Sequence, residues 1–308
     1  MSRSEIDSTA MLRVVNDSLR LLKKSGDLPA GDVASIDPLP SLYQQCLELT
    51  QRVQENSPEP IRTIHHFACT GGTLISKYLA ATPNTRLISE IDPHSPLSKL
   101  HFSPSDLIML YRNTIRPVQD AVISDVFLAG LTKIYENATQ QGERLVLRDH
   151  THSHFCTGGE LVNRPTLRDI LALNFPLKSV VTVRHPLDSF LALQANEWVH
   201  FVPQTLDEYA QRYLAFLDAY KDVPIIKYED FITDQEETLQ ILCDQLNLAY
   251  VPDLEALTQV IMLTGDSGRT SNEIEVRARR EEPPEVAQMR ASSEAFHALC
   301  IRLNYDHS

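Results

Sequence analysis

Three short polar segments hold the residues best suited to chemistry. The first is Cys69-Thr70-Gly71-Gly72-Thr73. Between a strand and a helix, such a small-residue turn aims several backbone N–H groups at one point, and the helix start adds its positive dipole end. Phosphate and sulfate suit such a place. Thr70 and Thr73 can add hydroxyl donors. The turn lacks the Gly-Lys-Ser/Thr ending of a Walker A loop, and the chain lacks a GxGxxG dinucleotide fingerprint. Taken alone, a Gly-Gly pair is more often a tight turn with helix caps.

The second segment, Arg148-Asp149-His150-Thr151-His152-Ser153-His154, concentrates three histidines. Histidine titrates near neutrality and so suits a general base. In an extended loop the three would share one face, since side chains repeat with a period of two. That arrangement would also suit a metal ion, but no other metal motif supports one, and no metal is expected. Loop histidines in capping roles are the plainer alternative. The third segment is Arg184-His185-Pro186-Leu187-Asp188-Ser189. An arginine leaving a buried strand is costly unless paired, and its forked donors fit a phosphate. Asp188 can cap the helix or orient Arg184; a simple Arg–Asp tie between strand and helix is the rival.

The elements around these segments must bring them together. Apolar runs predict strands at 62–67, 85–89, 144–148, 177–183 and 224–227. Helical periodicity predicts helices at 12–24, 42–54, 74–81, 120–141, 166–173, 186–199, 206–220 and 234–246, and another starting near Ser105. The histidine segment reads as a loop. Strands alternating with helices, and uniformly apolar in the middle of the chain, predict an α/β fold: a parallel β-sheet flanked by helices on both faces. Ligands of such sheets bind beyond the carboxyl ends of the strands, where all three polar segments fall.

Composition sets outer bounds. The 308 residues suffice for one large α/β domain. With 28 basic and 41 acidic residues the formal charge is −13, which disfavours nucleic acid, anionic membranes and long polyanionic acceptors. A small anionic cofactor is not disfavoured, because it responds to local dipoles. Five widely spaced cysteines indicate neither a disulfide scaffold nor a zinc site, and fit a reducing cytoplasm. No apolar run approaches the length of a membrane span. A homodimer is left open. The expected division is a helical extension over 1–60, an α/β domain over 61–285 and a helical tail over 286–308.

Taken in order, the three segments resemble the PAPS-dependent sulfotransferase family, which has a P-loop-like fold and uses 3′-phosphoadenosine 5′-phosphosulfate (PAPS) as donor; the likeness is to a bacterial-type member and spans roughly residues 62–280. The resemblance implies that Thr70, Gly71, Gly72, Thr73 and Leu74 cradle the 5′-phosphosulfate. The family's basic residue there falls on Cys69, and Lys77, one turn along the helix, is the substitute in reach. It implies His150 as base, with Arg148 balancing charge and His152 and His154 as rivals. Arg184 would grip the 3′-phosphate. The family's serine eight positions on falls on Ala192, and Ser189 is the nearest hydroxyl. Gly268, Arg269 and Ser271 stand where the family closes the nucleotide site, followed by Arg277, Arg279 and Arg280. Tyr228-Glu229-Asp230 matches a family tripeptide and reads as mostly structural.

The implied activity is sulfuryl transfer to a hydroxyl of a small-molecule, lipid or neutral sugar acceptor. Two rivals stand beside it: a small-molecule kinase-like phosphotransferase, and a non-catalytic nucleotide-binding protein of the same fold.

Overall fold

The computed structural model describes Ser41, Gln44 and Gln45, and residues 58–97, 105–263 and 280–307. The expected helix at 12–24 and the segment carrying Gly268, Arg269, Ser271, Arg277 and Arg279 lie outside the described residues. The chain divides into two compact units, Met1–Ser57 and Pro58–Ser308. In the first, a helix start is marked by a capping box: Gln44 N–H donates to Ser41 Oγ, and Ser41 N–H donates back to Gln44 Oε1.

The second unit is built on a five-stranded sheet. Its strands are β1 (Ile61–His66), β2 (Thr85–Ile91), β3 (Arg144–Asp149), β5 (Leu177–Val183) and β7 (Ile225–Lys227), in the order β2-β3-β1-β5-β7. Every pairing is parallel. Between them run α1 (Gly72–Ala81), α2 (Leu107–Arg112), α3 (Asp120–Gln140), α4 (Thr151–Phe155), α5 (Leu167–Ala172), α6 (Pro186–Ala195) and α7 (Leu206–Ala219). After β7 come α8 (Tyr228–Thr233), α9 (Gln235–Leu246), α10 (Glu255–Thr258), α11 (Pro284–Ser292) and α12 (Glu294–Leu303). Two short strands, β4 (Thr157–Gly158) and β6 (His200–Phe201), form a separate parallel pair.

Alternation along the central strand explains the layering. Ile64 of β1 joins Val146 and Val180 under α1 and α9. Ile61, one face over, packs with Leu145 and Leu147 against α3 and α5. A third cluster, around Phe67, Val181 and Val183, is covered by α6, α7 and α12. β1 is buried throughout, so its polar side chains need partners. Arg62 spends its guanidinium on the end of α9, reaching the Leu246 and Asn247 carbonyls at 2.8 and 3.2 Å. His65 donates or accepts between Asp149 Oδ2 (2.7 Å) and Thr63 Oγ1 (2.9 Å), and Tyr220 donates to the same Asp149 oxygen.

Three differences from the sequence reading concern the site. The histidine segment is not an extended loop: α4 occupies it. β2 runs two residues further than expected, to Ile91, with its pairing to β3 irregular between Ile88 and Ile91. The helix expected over 186–199 stops at Ala195. Glu197 takes a left-handed φ of 58° and Trp198 N–H turns back to the Leu193 carbonyl at 3.0 Å, which closes the helix end. The chain then enters β6, and Trp198 and His200 come to rest against His152.

Candidate active site

The Gly-Gly turn leaves β1 and enters α1 at the carboxyl end of the sheet. Gly71 is the N-cap residue, with φ 83°; no side chain caps the helix and no carboxylate sits in its first turn. Both glycines are dictated by contact. A Cβ on Gly71 would fall 2.2 Å from the Tyr228 ring, and one on Gly72 would fall 2.3 Å from the His66 ring. The first-turn N–H groups of a helix have no carbonyl a turn behind them, so this start is suited to an anion. Thr70 is fully buried and its Oγ1 donates to the Phe67 carbonyl at 2.8 Å, which closes the turn instead of facing a ligand. Thr73 and Leu74 are half-buried, and Lys77 is half-buried one turn further along α1.

Arg148, next to last in β3, ties the turn to the histidine segment. It is buried, and its Nη2 donates to Thr73 Oγ1 at 2.8 Å and to His66 Nε2 at 3.1 Å. Nη1 reaches Ser89 Oγ at 3.0 Å and Glu90 Oε1 at 2.7 Å. Arginine only donates, so His66 Nε2 accepts and Nδ1 carries the proton. That Nδ1 is buried beside Gly72 and meets no partner among the described residues. Burial, and then the Arg148 charge, hold the His66 pKa well below its ordinary value. A neutral imidazole donor therefore lies buried under the glycine turn.

The other carboxylate oxygen of Glu90 lies 3.1 Å from His150 Nε2. A carboxylate accepts, so Nε2 holds the proton in this pair and Nδ1 is the nitrogen that can take another. Glu90 reaches both partners from a left-handed backbone, φ 62°, at the irregular end of β2.

The three histidines do not act alike. His150 precedes α4, and its ring stacks on His152 at 6.0 Å. His152 touches the rings of His200 (5.4 Å) and Trp198 (6.4 Å). Burial, then His150 and His200, push its pKa down to about 3, and its Nε2 has no partner among the described residues. His154 stacks on Phe155 instead and points Nε2 at the Val162 carbonyl, 3.3 Å away. The shared face expected of an extended loop is thus broken by the helix, where residues two apart point in different directions.

Arg184 follows β5, the neighbour of β1, and stands at the same end of the sheet. Its guanidinium lies 4.9 Å from the centre of the Tyr228 ring. Because that ring also abuts Gly71, it is a single spacer between the glycine turn and the guanidinium. Ser189 is fully buried and its Oγ donates to the His185 carbonyl at 3.2 Å. The helix cap expected of Asp188 is made by His185, whose Nδ1 accepts from Leu187 N–H; Asp188 lies within the first turn. Ala192 is buried. Cys69 has φ 60°, and burial pushes its thiol up to about 11, against the pull of Asn196, Arg184 and Arg280. It stays a thiol at neutral pH. Arg280 therefore lies near enough to be felt at the turn.

His66, Ser89 and Glu90 were not singled out from sequence, and Tyr228 was read as mostly structural. His66 had a signal, since it ends a buried strand immediately before the turn. Glu90 had none, because only the break in β2 aims it. Together these groups offer an uncapped helix start, an orphan imidazole donor, a guanidinium on an aromatic ring, and a histidine held by a carboxylate. That set suits binding an anionic group and taking up a proton.

No family model matches the chain, and no curated protein does. Among solved structures it is similar to a sulfotransferase domain from the curacin biosynthetic pathway, at 18% identity and a TM-score of 0.49, over 81% of this chain and 98% of that one. It is also similar to mouse sulfotransferase SULT7A1 complexed with PAP, at 12% identity and a TM-score of 0.41, over 78% of this chain and 88% of that one.

Proposed function

We propose that the chain is a PAPS-dependent sulfotransferase acting on a hydroxyl of a small-molecule, lipid or neutral sugar acceptor, with His150 as general base. The observation that carries this reading is the Tyr228 ring wedged between Gly71 and Arg184. It sets an anion-suited helix start and a guanidinium one ring apart, as a ligand with two separated phosphates requires. When bound, PAPS supplies the sulfuryl group and leaves as 3′-phosphoadenosine 5′-phosphate (PAP).

The chain's own residues do the rest by positioning and charge. The opening amides of α1 hold the oxygens at the 5′ end, and His66 backs the turn from beneath. Arg184, over the Tyr228 ring, takes the 3′-phosphate. Arg148 is spent on Thr73, His66, Ser89 and Glu90, so it shapes the cradle more than it faces the ligand. His150, with Nε2 donated to Glu90, takes the acceptor proton at Nδ1. His152 stays neutral beside it, so it adds no positive charge that would oppose protonation of His150.

Calorimetric titration with PAP, with ATP and magnesium as control, tests the reading. PAP should bind without a metal, and Arg184→Ala should weaken it about 10- to 100-fold, the worth of a charge-assisted hydrogen bond. Tighter binding of ATP with magnesium would replace the sulfotransferase with a phosphotransferase. PAP binding without sulfation of any acceptor would point to a nucleotide-binding protein.

A further inference from the structure

We propose that the segment after α12, Asn304-Tyr305-Asp306, is a strap that positions Arg184, with Tyr305 as a positioning residue acting through Glu229. The proposal rests on the reading of Arg184 as a nucleotide grip.

The contacts run on both sides of that grip. Asn304 ends α12 with a left-handed φ of 52°, and Tyr305 N–H turns back to the Cys300 carbonyl at 2.9 Å. This folds the segment over the start of α6. Tyr305 Oη donates to Glu229 Oε2 at 2.6 Å. The other oxygen of Glu229 accepts the N–H of His185, the residue after Arg184, at 2.9 Å. His185 Nδ1 accepts from Leu187 N–H, so Nε2 carries the proton and donates to the Asp306 carbonyl at 3.0 Å. Lys227 donates to the Asn304 carbonyl at 3.0 Å and stands 4.3 Å over the Tyr305 ring.

The strap therefore grips residue 185, next to Arg184, and residues 227 and 229, on either side of Tyr228. Arg184 and the ring it lies on are the two things whose relative placement a 3′-phosphate would read. Burial, then the Glu229 carboxylate, hold the Tyr305 phenol far above its ordinary pKa. It remains a donor throughout the working range. Glu229 needs that donor, since a carboxylate left with one partner in a half-buried site would be free to turn and release His185.

Tyr305→Phe keeps the ring and removes only the hydroxyl, so the fold should survive. Two readouts on the full chain separate positioning from mere stability. Amide exchange at His185 should rise about tenfold, as expected when a local anchor is lost. The Kd for PAP should rise about five- to twentyfold, less than for Arg184→Ala, because the guanidinium is displaced and not removed. The donor KM should rise with it while kcat holds. Glu229→Gln should act alike, and the double variant should cost less than the sum of the two.

Unchanged exchange in Tyr305→Phe would overturn the strap. Faster exchange with unchanged PAP affinity would also overturn it, because the contacts would then be structural only. If Arg184→Ala binds PAP as wild type does, the nucleotide reading fails and the strap loses its purpose. Exchange at His185 in Tyr305→Phe needs no ligand and reads the strap alone, whereas PAP affinity in Arg184→Ala reads the nucleotide grip alone, so the two failures are told apart.

Discussion

Glu90 holds the residue-scale logic of the site together. A non-glycine residue at φ 62° costs about 1–3 kcal/mol, and a strand has no intrinsic reason to accept that. The cost is offset by one carboxylate serving two groups, Arg148 at 2.7 Å and His150 at 3.1 Å. With Nε2 so engaged, His150 presents a defined tautomer. His150→Ala should lower turnover about 10²–10⁴-fold, the usual contribution of a general base, and leave PAP affinity as in wild type. A variant with full turnover would remove His150 from the mechanism. The choice among the three histidines was not legible in the sequence, where a period of two made them equivalent. Their separation comes from α4, only five residues long, too short to carry a periodic signal, and from Glu90, whose aim depends on a break in β2 that no residue type announces. Arg184 was singled out in the sequence as an arginine straight after an apolar strand, and it stands at the end of the sheet where the glycine turn lies.

At the scale of elements, the strands were readable as short stretches rich in β-branched and apolar residues bounded by turn signals, even though buried β1 also carries Arg62, Thr63, His65 and His66, and 177–183 was placed without error. Short pieces governed by distant partners were not. The β4–β6 pair exists because Arg212, fully buried in α7, donates to the carbonyls of Phe155, Thr157, Gly158 and Gly159 and holds that segment for pairing. The turn into α1 was legible as a Gly-Gly pair, but the reason for each glycine lay in Tyr228 and His66, far away in the chain or on the preceding strand. This can be tested by two matched substitutions. Gly72→Ala places a methyl 2.3 Å from a ring that Arg148 fixes, and should cost about 1–3 kcal/mol, as overpacking does. Gly130→Ala, in the exposed interior of α3 with nothing within 4 Å, should stabilise by about 0.5–1 kcal/mol through helix propensity. Denaturant melts that move both variants in the same direction would mean that the Gly72 backbone relaxes freely, and that contact does not dictate the glycine.

For the molecule as a whole, the buried histidines set how stability responds to acid. Burial holds His66, His94, His152 and His154 below their ordinary values. Above about pH 6.5 each is neutral in both the folded and the unfolded chain, and contributes nothing to the pH dependence. As pH falls below that, the unfolded chain binds protons that the folded one refuses, so stability declines. For His152 the decline continues until the folded ring itself protonates, near pH 3. Each such histidine adds a slope of up to about 1.4 kcal/mol per pH unit. The Asp92–Arg164 pair acts in a different window. At Asp92 burial raises the pKa, but the Arg164 contact more than offsets it and the net shift is downward, so its stability is lost only below the usual carboxylate range, about pH 4. Between pH 6.5 and 4.5 the histidines therefore dominate. His152→Phe keeps a flat ring against Trp198 and His200 and removes one titrating site. Its unfolding free energy should fall less steeply with acid than that of wild type, by close to one proton's worth across this interval. Parallel pH profiles for the two proteins would mean that His152 takes up a proton in the folded state as readily as in the unfolded chain, and that burial does not hold its pKa down.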